Sequence, residues 1–142
     1  MGDLVFQGDA TRKKMKNEFT LTAEFNTNTE TIYKAWISTQ GHTLMTGSPA
    51  KVDGRAGGDF TAWDGYIWGT FLELDENKRI LQSWRTSEFP EDAEDSLVEI
   101  LLEEQDGKTK LTLVHTNIPV GQSESYKQGW EDFYFKPMRE YL

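Results

Sequence analysis

Apolar residues change their spacing along the chain, and each change marks a strand or a helix. In EFTLTAEF every second residue from position 19 to 25 is apolar, the pattern of a strand with one buried face. In the next segment, NTNTETIYKAWIST, the residues Ile32, Ala35, Trp36 and Thr39 share one helical face instead. The sequence therefore predicts a strand that leads directly into a helix.

This first helix has two candidate N-caps. Thr27 stands three residues before Glu30, which is the spacing of a capping box, and Asn28 is an equally good cap. The sequence does not decide between these two N-caps.

Turn signals divide the middle of the chain into strands. GRAGGDF supplies glycines for a turn and a bulge, but it lacks the spacing of a dinucleotide-binding loop. Asp64–Gly65 and Asp106–Gly107 each separate two runs of alternating apolar residues, which indicates hairpins with two-residue turns. DENK forms a further turn. After the first strand and helix we therefore expect about five or six antiparallel strands in a meander.

The last segment returns to a helical period. Its apolar residues recur at three- and four-residue steps, on the side opposite the polar residues. They are Tyr126, Trp130, Phe133, Tyr134, Pro137, Met138 and Tyr141. Ser123 is the predicted N-cap. Such a stripe is hard to leave in water, so we predict that it packs on the sheet as core, where each large side chain contributes about 1.5–3 kcal/mol.

Two residues of this helix depart from the pattern. Phe135 lies off the apolar stripe, so we expect it to be exposed or to touch a partner. Pro137 has no N–H to donate and disfavours helical angles at Lys136, so the sequence predicts a kink or an early end there.

Composition and charge narrow the class of protein. The 142 residues fit one domain and include five Trp, eight Phe and five Tyr, whereas disordered chains are poor in aromatic residues. The formal net charge is −9, from 24 acidic and 15 basic side chains. Nucleic-acid and membrane partners are disfavoured, because both need clustered Lys and Arg. The acidic segments SEFPEDAEDS and LLEEQDG are solvated loops or, alternatively, a docking patch for a basic partner.

Cysteine and histidine usage limits the chemistry. The chain has no cysteine, which excludes disulfides and thiolate sites and suits a reducing cytoplasm. No membrane span or signal-peptide core is apparent, so we expect a cytoplasmic protein. The two histidines, His42 and His115, lie far apart with no carboxylate at ligand spacing, so we expect neither a metal nor another cofactor.

We expect one domain over residues 17–142 and a flexible tail over residues 1–16. The tail carries a short basic run, for which a targeting patch is the alternative interpretation.

Several motifs, taken in order, carry a family resemblance. They are Gly57–Gly58–Phe60, Gly69–x–Phe71, Trp84–Arg85 and the run from Gly129 to Phe135 in GWEDFYFKPMREYL. With them, the region from about Asn17 to Leu142 resembles the family named after the C-terminal domain of the activator of the heat-shock-protein-90 ATPase. The order of elements resembles the helix-grip fold of START-like and birch-pollen-allergen-like proteins.

The resemblance implies a fold and leaves two functions open. The implied fold is α+β, a helix-grip fold in which a curved antiparallel sheet of about six strands wraps around a long C-terminal helix. The eukaryotic co-chaperone has a separate N-terminal domain that does much of the activating, and we expect a stand-alone domain here. One implied function is non-catalytic binding of a small apolar ligand between sheet and helix. The alternative is a co-chaperone or protein-binding module that acts on a heat-shock-90-type chaperone.

The resemblance also implies a set of cavity residues. The expected apolar walls are Trp36, Phe60, Phe71, Trp84, Leu111, Leu113, Trp130, Tyr134 and Met138. The expected polar groups are Arg85, His115 and Tyr126. The alternative is that the rings simply fill the space.

The histidines are weak evidence for catalysis. His115 has the strand parity of Leu111 and Leu113, so we expect it to point inward, as a structural histidine rather than a catalytic one. We expect His42 on a loop or short helical turn near the cavity mouth. No nucleophile elbow or phosphate loop is present, so an enzyme would need a polar pair that meets inside the cavity.

Overall fold

The computed structural model describes residues 17–142, and the flexible tail expected over residues 1–16 lies outside them. The strands are β1 (Phe19–Phe25), β2 (Lys51–Val52), β3 (Asp59–Ala62), β4 (Ile67–Asp75), β5 (Arg79–Thr86), β6 (Ser96–Gln105) and β7 (Lys108–Thr116). The helices are α1 (Thr29–Trp36), α2 (Thr39–Thr46), α3 (Ser123–Trp130), a π-helical turn (Glu131–Phe135) and α4 (Lys136–Tyr141).

The strands form one open sheet in the order β1-β7-β6-β5-β4-β3-β2. Every neighbouring pair is antiparallel. From β2 to β7 each strand pairs with the next one along the chain, which is the predicted meander, and β1 closes the far edge beside β7. The expected α+β class, an antiparallel sheet with a C-terminal helix, is confirmed. The two-residue strand β2 brings the number of strands to seven.

The two Asp–Gly turns behave differently. Asp106 and Gly107 have φ angles of 53° and 78° and connect β6 to β7 directly, as the sequence predicts. Asp64 and Gly65 also have positive φ angles, with a hydrogen bond of 3.1 Å from the Tyr66 N–H to the Trp63 carbonyl. Trp63 itself has a φ of 53°, so the left-handed region begins one residue before the predicted turn.

The helix starts agree with the sequence at α1 and differ from it at α3. Asn28 is the N-cap of α1, and its side chain accepts a hydrogen bond of 2.8 Å from the Thr31 N–H. Helix α1 ends at Trp36, so Thr39 belongs to a second helix, α2, rather than to the face of the first. Gln122, not Ser123, occupies the N-cap position of α3. The Ser123 prediction is therefore wrong by one residue.

The π-helical turn inverts two predictions for the C-terminal helix. Its N–H to carbonyl bonding reaches five residues back, from Lys136 to Glu131. The extra residue rotates everything after it by about 100° around the helix axis. Phe135 is therefore buried, at 2% exposure, and Phe133 is 55% exposed. The sequence pattern placed Phe135 off the apolar stripe and Phe133 on it, and both placements are wrong.

Pro137 does not end the helix. A proline removes the donor that the carbonyl four residues earlier would need. Here that carbonyl belongs to Phe133, inside the π-helical turn, where bonding is already shifted. Helical structure continues through Pro137 to Tyr141. Of the two outcomes predicted at Lys136, a kink or an early end, the early end is therefore wrong.

The core lies between the sheet and the helices. Trp130, Tyr134 and Met138 are all buried, which confirms that the final segment packs inward. The Trp130 ring lies 6.3 Å from the ring of Trp36 and 5.7 Å from that of Trp84, measured between centroids. The C-terminal helix is thus joined to both α1 and β5 through aromatic contacts.

Candidate functional site

One cleft of about 380 Å³ opens beside the C-terminal helix. Seven of its ten lining residues are aromatic and none carries a charged side chain. They are Trp63, Tyr66, Ile67, Trp84, Ser125, Tyr126, Gly129, Trp130, Phe133 and Tyr134. Its volume is at the lower end of the range for small-molecule sites, roughly 300–1,000 Å³.

Four structural elements build the cleft. The turn between β3 and β4 supplies Trp63 and Tyr66, β4 supplies Ile67, and β5 supplies Trp84. The helix supplies Tyr126, Trp130 and Tyr134 at four-residue intervals, the spacing that aligns side chains along one face. The floor is therefore rigid helix and strand, whereas one wall is a turn.

The structure brings four of the expected cavity residues together at this cleft. Trp84, Tyr126, Trp130 and Tyr134 line it. The other expected residues do not, because they lie in the packed core or on the outer face. They are Trp36, Phe60, Phe71, Arg85, Leu111, Leu113, His115 and Met138. Packing thus fills much of the space in which sequence reasoning expected a cavity.

Six lining residues were missed by sequence reasoning. They are Trp63, Tyr66, Ile67, Ser125, Gly129 and Phe133. The available signal was the Asp64–Gly65 turn, since aromatic residues that flank a tight turn stay close to each other in space. Phe133 could be predicted only with knowledge of the π-helical turn.

Arg85 lies on the outer face of the sheet, because its neighbour Trp84 points inward and side chains alternate along a strand. Its guanidinium forms an ion pair of 2.7 Å with Asp95. It also donates to the carbonyls of Ala93 and Pro90 at 3.0 and 3.1 Å. Arg85 therefore fixes the loop between β5 and β6 and does not contact the cleft.

His115 forms a fully bonded chain behind the cleft. The Trp130 indole N–H donates to His115 Nδ1 at 3.1 Å, so that nitrogen carries no proton. The other ring nitrogen therefore donates to Ser96 Oγ at 2.9 Å, and Ser96 donates to the Trp84 carbonyl at 2.6 Å. Burial lowers the pKa of His115 to about 3. His115 is neutral, internally satisfied and structural.

His42 forms a second such chain on α2. Its Nδ1–H donates to the Trp36 carbonyl at 2.9 Å, and its Nε2 accepts from the Tyr134 hydroxyl at 2.8 Å. Burial lowers the pKa of His42 to about 4, although the bond to Trp36 acts against this. His42 therefore lies in a helix behind the cleft wall, not at its mouth. The His42–Tyr134 pair is the polar pair that an enzyme would need, but His42 does not reach the cleft.

A closed ring of hydrogen bonds joins the start of α3 to the end of β5. Thr86 Oγ1 donates to the Tyr126 hydroxyl at 2.7 Å, and that hydroxyl donates to Gln122 Oε1 at 2.6 Å. The Gln122 amide donates to the Glu88 carbonyl at 3.0 Å, and the Glu88 N–H donates to Thr86 Oγ1 at 3.1 Å. The Tyr126 hydroxyl is thus held in place beside the cleft.

Burial keeps the tyrosines of the cleft protonated. It raises the pKa of Tyr66, Tyr126 and Tyr134 above the ordinary value. The Tyr66 hydroxyl also donates to a carboxylate oxygen of Glu88, which raises its pKa further. All three hydroxyls are therefore neutral at physiological pH.

Trp63 is the exception among these polar groups. Its indole nitrogen is buried and has no hydrogen bond partner. The Trp63 N–H lies near the Tyr134 hydroxyl and lowers the pKa of Tyr134, whereas burial raises it. The two groups nevertheless do not align into a hydrogen bond.

Within residues 17–142, no three side chains of His, Cys, Asp or Glu converge on a position for a metal ion. None of the helices in that range has both the length and the apolar character needed to cross a bilayer.

Comparison with known proteins identifies relatives over most of the chain. Residues 26–142 match the pattern of the family described as "Activator of Hsp90 ATPase homolog 1-like protein". The human activator of 90 kDa heat shock protein ATPase homolog 1 is 28% identical over 123 residues, which are 87% of this chain and 36% of that protein. The mouse homolog 2 is 30% identical over 122 residues, 86% of this chain and 37% of that protein. This chain therefore spans little more than a third of these relatives.

A solved structure agrees with the fold. An HSP90 activator from Plasmodium falciparum superposes with a TM-score of 0.79 at 29% identity, over 87% of this chain and 94% of that one. The helix-grip architecture is therefore shared with a protein of similar length.

Proposed function

This chain belongs to the family of Activator of Hsp90 ATPase homolog 1-like proteins, and we propose that its aromatic cleft binds a small apolar molecule without catalysing a reaction. The observation that supports this function is a cleft of about 380 Å³ with seven aromatic side chains and no charged one. Small-molecule sites are mostly apolar, with a few oriented polar groups. The fixed hydroxyl of Tyr126 is such a group here.

The absence of free acid–base groups at the cleft supports binding rather than catalysis. The hydroxyls of Tyr126 and Tyr134 both donate to internal partners. The two histidines are not among the lining residues. A bound molecule would therefore meet aromatic surfaces and neutral donors.

A ligand screen tests this function. A panel of lipids, aromatic compounds and polyketide-like compounds is screened by thermal shift and native mass spectrometry. We expect at least one aromatic class to bind and to raise the melting temperature. The variant Phe133→Ala removes a ring from the cleft and should weaken binding, whereas Tyr141→Ala removes a ring of similar exposure outside it and should not. A panel without any binder would contradict the proposal.

We also propose, as a second function, contact with a heat-shock-90-type chaperone. It is supported by the relatives named as activators of that chaperone's ATPase and by the solved Plasmodium falciparum activator. The acidic surface implied by the net charge of −9 suits a basic partner. Phe135 is buried and so is not part of such a contact. For this function we further propose a cytoplasmic location, because a sequence without cysteine suits a reducing compartment.

Chaperone ATPase measurements separate the two functions. The full chain is added to a purified heat-shock-90 chaperone, and ATP hydrolysis is measured alongside a pull-down. Stimulation together with capture would support the co-chaperone function. Capture without stimulation would support a binding module, and the lack of both effects would contradict this second proposal.

A further inference from the structure

We propose that this chain pairs with a second copy of itself along the outer edge of β1, the side that faces away from β7, so that two sheets join into one continuous sheet. The pairing is antiparallel and has a two-fold axis at Thr22. Strand β1 contributes no residue to the aromatic cleft, so this inference is independent of both proposed functions.

The fold closes one edge of its sheet with a helix. Strand β2, at that edge, is only two residues long. The hydroxyl of Thr39 on α2 accepts from the Val52 N–H at 2.8 Å and donates to the Val52 carbonyl at 3.2 Å. Thr43 forms the same pair of bonds with the N–H and carbonyl of Ala50, at 3.1 and 3.4 Å. Helix α2 therefore satisfies the backbone groups that this edge would otherwise expose.

Strand β1, at the opposite edge, has none of the features that usually protect an edge strand. It runs for seven residues in unbroken register with β7, without a bulge, and its sequence FTLTAEF contains neither Lys nor Pro. Within residues 17–142, β7 is the only strand that pairs with it. A long and regular edge of this kind is a template for a further strand.

The β6–β7 hairpin determines which backbone groups of β1 face the outer edge. Its two-residue turn closes on the pair Gln105–Lys108, so the even-numbered residues of β7 bond to β6 and the odd-numbered ones bond to β1. Odd-numbered residues of β7 lie opposite odd-numbered residues of β1. The N–H and carbonyl groups of Thr20, Thr22 and Glu24 therefore point away from the sheet, where a second copy of β1 can bond to them.

The sequence of β1 is complementary to itself in this pairing. With the axis at Thr22, Leu21 lies opposite Ala23 of the second copy on the core-facing side, which sets a large side chain against a small one. On the outer face, Thr20 lies opposite Glu24 of the second copy, so like charges do not stand opposite each other. Each side chain thus meets one of its own polarity class or an uncharged partner.

The core-facing side chains of β1 are incompletely covered in the single chain. Phe19 and Leu21 are only half-buried, whereas Leu111 and Leu113 on the neighbouring strand are fully buried. The added strand would cover the apolar surface that remains exposed at this edge, which favours association.

A groove of about 470 Å³ along this edge carries both signs of charge. Glu24, Lys110 and Arg139 line it together with Thr22. Because Thr22 lies on the axis, the grooves of the two copies meet there, and Glu24 of one copy approaches the cations of the other. The contact is therefore complementary in charge, although each chain has a net charge of −9.

Single cysteines test the register directly, because the chain contains no cysteine of its own. Thr22→Cys places two thiols opposite each other, with Cα atoms about 5.5 Å apart, a distance that a disulfide spans. Thr20→Cys is the matched control, since Thr20 is exposed on the same face of the same strand but lies opposite Glu24 of the second copy. Under mild oxidation of the full chain, we expect at least about tenfold more covalent dimer from Thr22→Cys than from Thr20→Cys.

Sedimentation velocity measures the association itself. The unmodified chain should show a reversible monomer–dimer equilibrium between about 1 µM and 1 mM. Thr22→Pro removes an N–H that faces the outer edge and not one that bonds to β7, so the fold should persist, as a circular dichroism spectrum would show. Because the axis repeats the lost bond in both copies, we expect the dimer of Thr22→Pro to be at least about tenfold weaker.

The possible results either support or overturn the pairing. Equal cross-linking of Thr22→Cys and Thr20→Cys would overturn the register and with it the proposal. A chain that stays monomeric at about 1 mM would overturn self-association altogether. A monomeric chain that instead binds an extended peptide of another sequence at β1 would assign the edge to a different partner and overturn the second copy. If Thr22→Pro does not fold, the two cysteine variants still decide.

Discussion

Trp130 and Trp63 both line the cleft, but their indole N–H groups differ in hydrogen bonding. Trp130 donates to His115, and the chain of bonds continues through Ser96 to a backbone carbonyl. The Trp63 N–H lies near the Tyr134 hydroxyl without a well-aligned hydrogen bond, and Trp63 has a left-handed backbone. The indole N–H on the helix side of the cleft thus has a hydrogen bond partner within the fold, whereas the one on the turn side has no well-aligned partner.

This difference indicates which side contributes stability and which contributes binding. A fully bonded polar network rigidifies a core and is destabilised when one member is removed. A buried donor without a well-aligned partner costs the folded state free energy instead of stabilising it. We therefore expect substitutions at Trp130 to affect folding, and substitutions at Trp63 to affect ligand binding.

Trp130→Phe should have the greatest effect on stability. It leaves His115 Nδ1 buried without its donor and opens space beside Trp36 and Trp84. We expect a loss of about 2–4 kcal/mol in the free energy of unfolding, measured by urea denaturation. Trp68→Phe on the outer face is the matched control and should lose less than about 1 kcal/mol. Similar losses of unfolding free energy in Trp130→Phe and Trp68→Phe would contradict a stabilising role for the hydrogen bonds of Trp130.

The pH dependence of stability tests the same network through His115. Its pKa is lowered to about 3 in the folded chain, against about 6.5 when unfolded. Between these values the unfolded chain binds more protons, so stability decreases as the pH falls below 6.5. His115 alone changes the free energy of unfolding by about 1.4 kcal/mol per pH unit in this range.

His115→Gln removes this titration. Its unfolding free energy should fall less steeply between pH 6.5 and pH 5 than that of the unmodified chain. His42→Gln is the parallel case, because the pKa of His42 is lowered to about 4. Curves of equal slope for all three proteins would contradict the buried neutral state of both histidines.

Tyr126→Phe should have a smaller effect. It removes the hydroxyl that accepts from Thr86 and donates to Gln122, so both lose a partner. We expect about 1–2 kcal/mol of destabilisation by thermal or urea unfolding. Tyr141→Phe, at an exposed position, should stay within about 0.5 kcal/mol. If the Tyr126→Phe protein is as stable as the unmodified chain, the closed ring of hydrogen bonds does not contribute to stability.

Trp63→Phe should have the smallest effect on folding. It removes a buried donor without a well-aligned partner, which offsets the packing lost against Phe133 and Tyr134. We therefore expect a net change of less than about 1 kcal/mol. Its effect should appear instead in weaker binding of the aromatic compounds of the screening panel, because Trp63 lines the cleft. A loss of stability as large as that of Trp130→Phe would assign Trp63 to the core.

Much of the fold could be predicted because the patterns behind it are local. Alternation from Phe19 to Phe25 and the Asp106–Gly107 turn each depend on a few adjacent residues. The family pattern over residues 26–142 agrees with the expected resemblance.

The cleft could be predicted only in part. Trp84 and Trp130 were expected to line it and do, whereas Leu111 and Leu113 lie in the core. A strand pattern tells which face is inward, but not whether neighbouring side chains fill the space above it. Arg85 was placed inside although strand alternation from Trp84 already points it outward.

Local patterns in the chain were sufficient to predict the order of the elements, the antiparallel meander and the burial of Trp130, Tyr134 and Met138. These follow from periods of two and of about 3.6 residues, which the chain satisfies locally. The tertiary structure alone decided that Phe135 is buried and Phe133 exposed, because a π-helical turn shifts the period by one residue. It also decided that the Trp63 N–H has no partner, since hydrogen bonding between distant segments depends on where packing brings them.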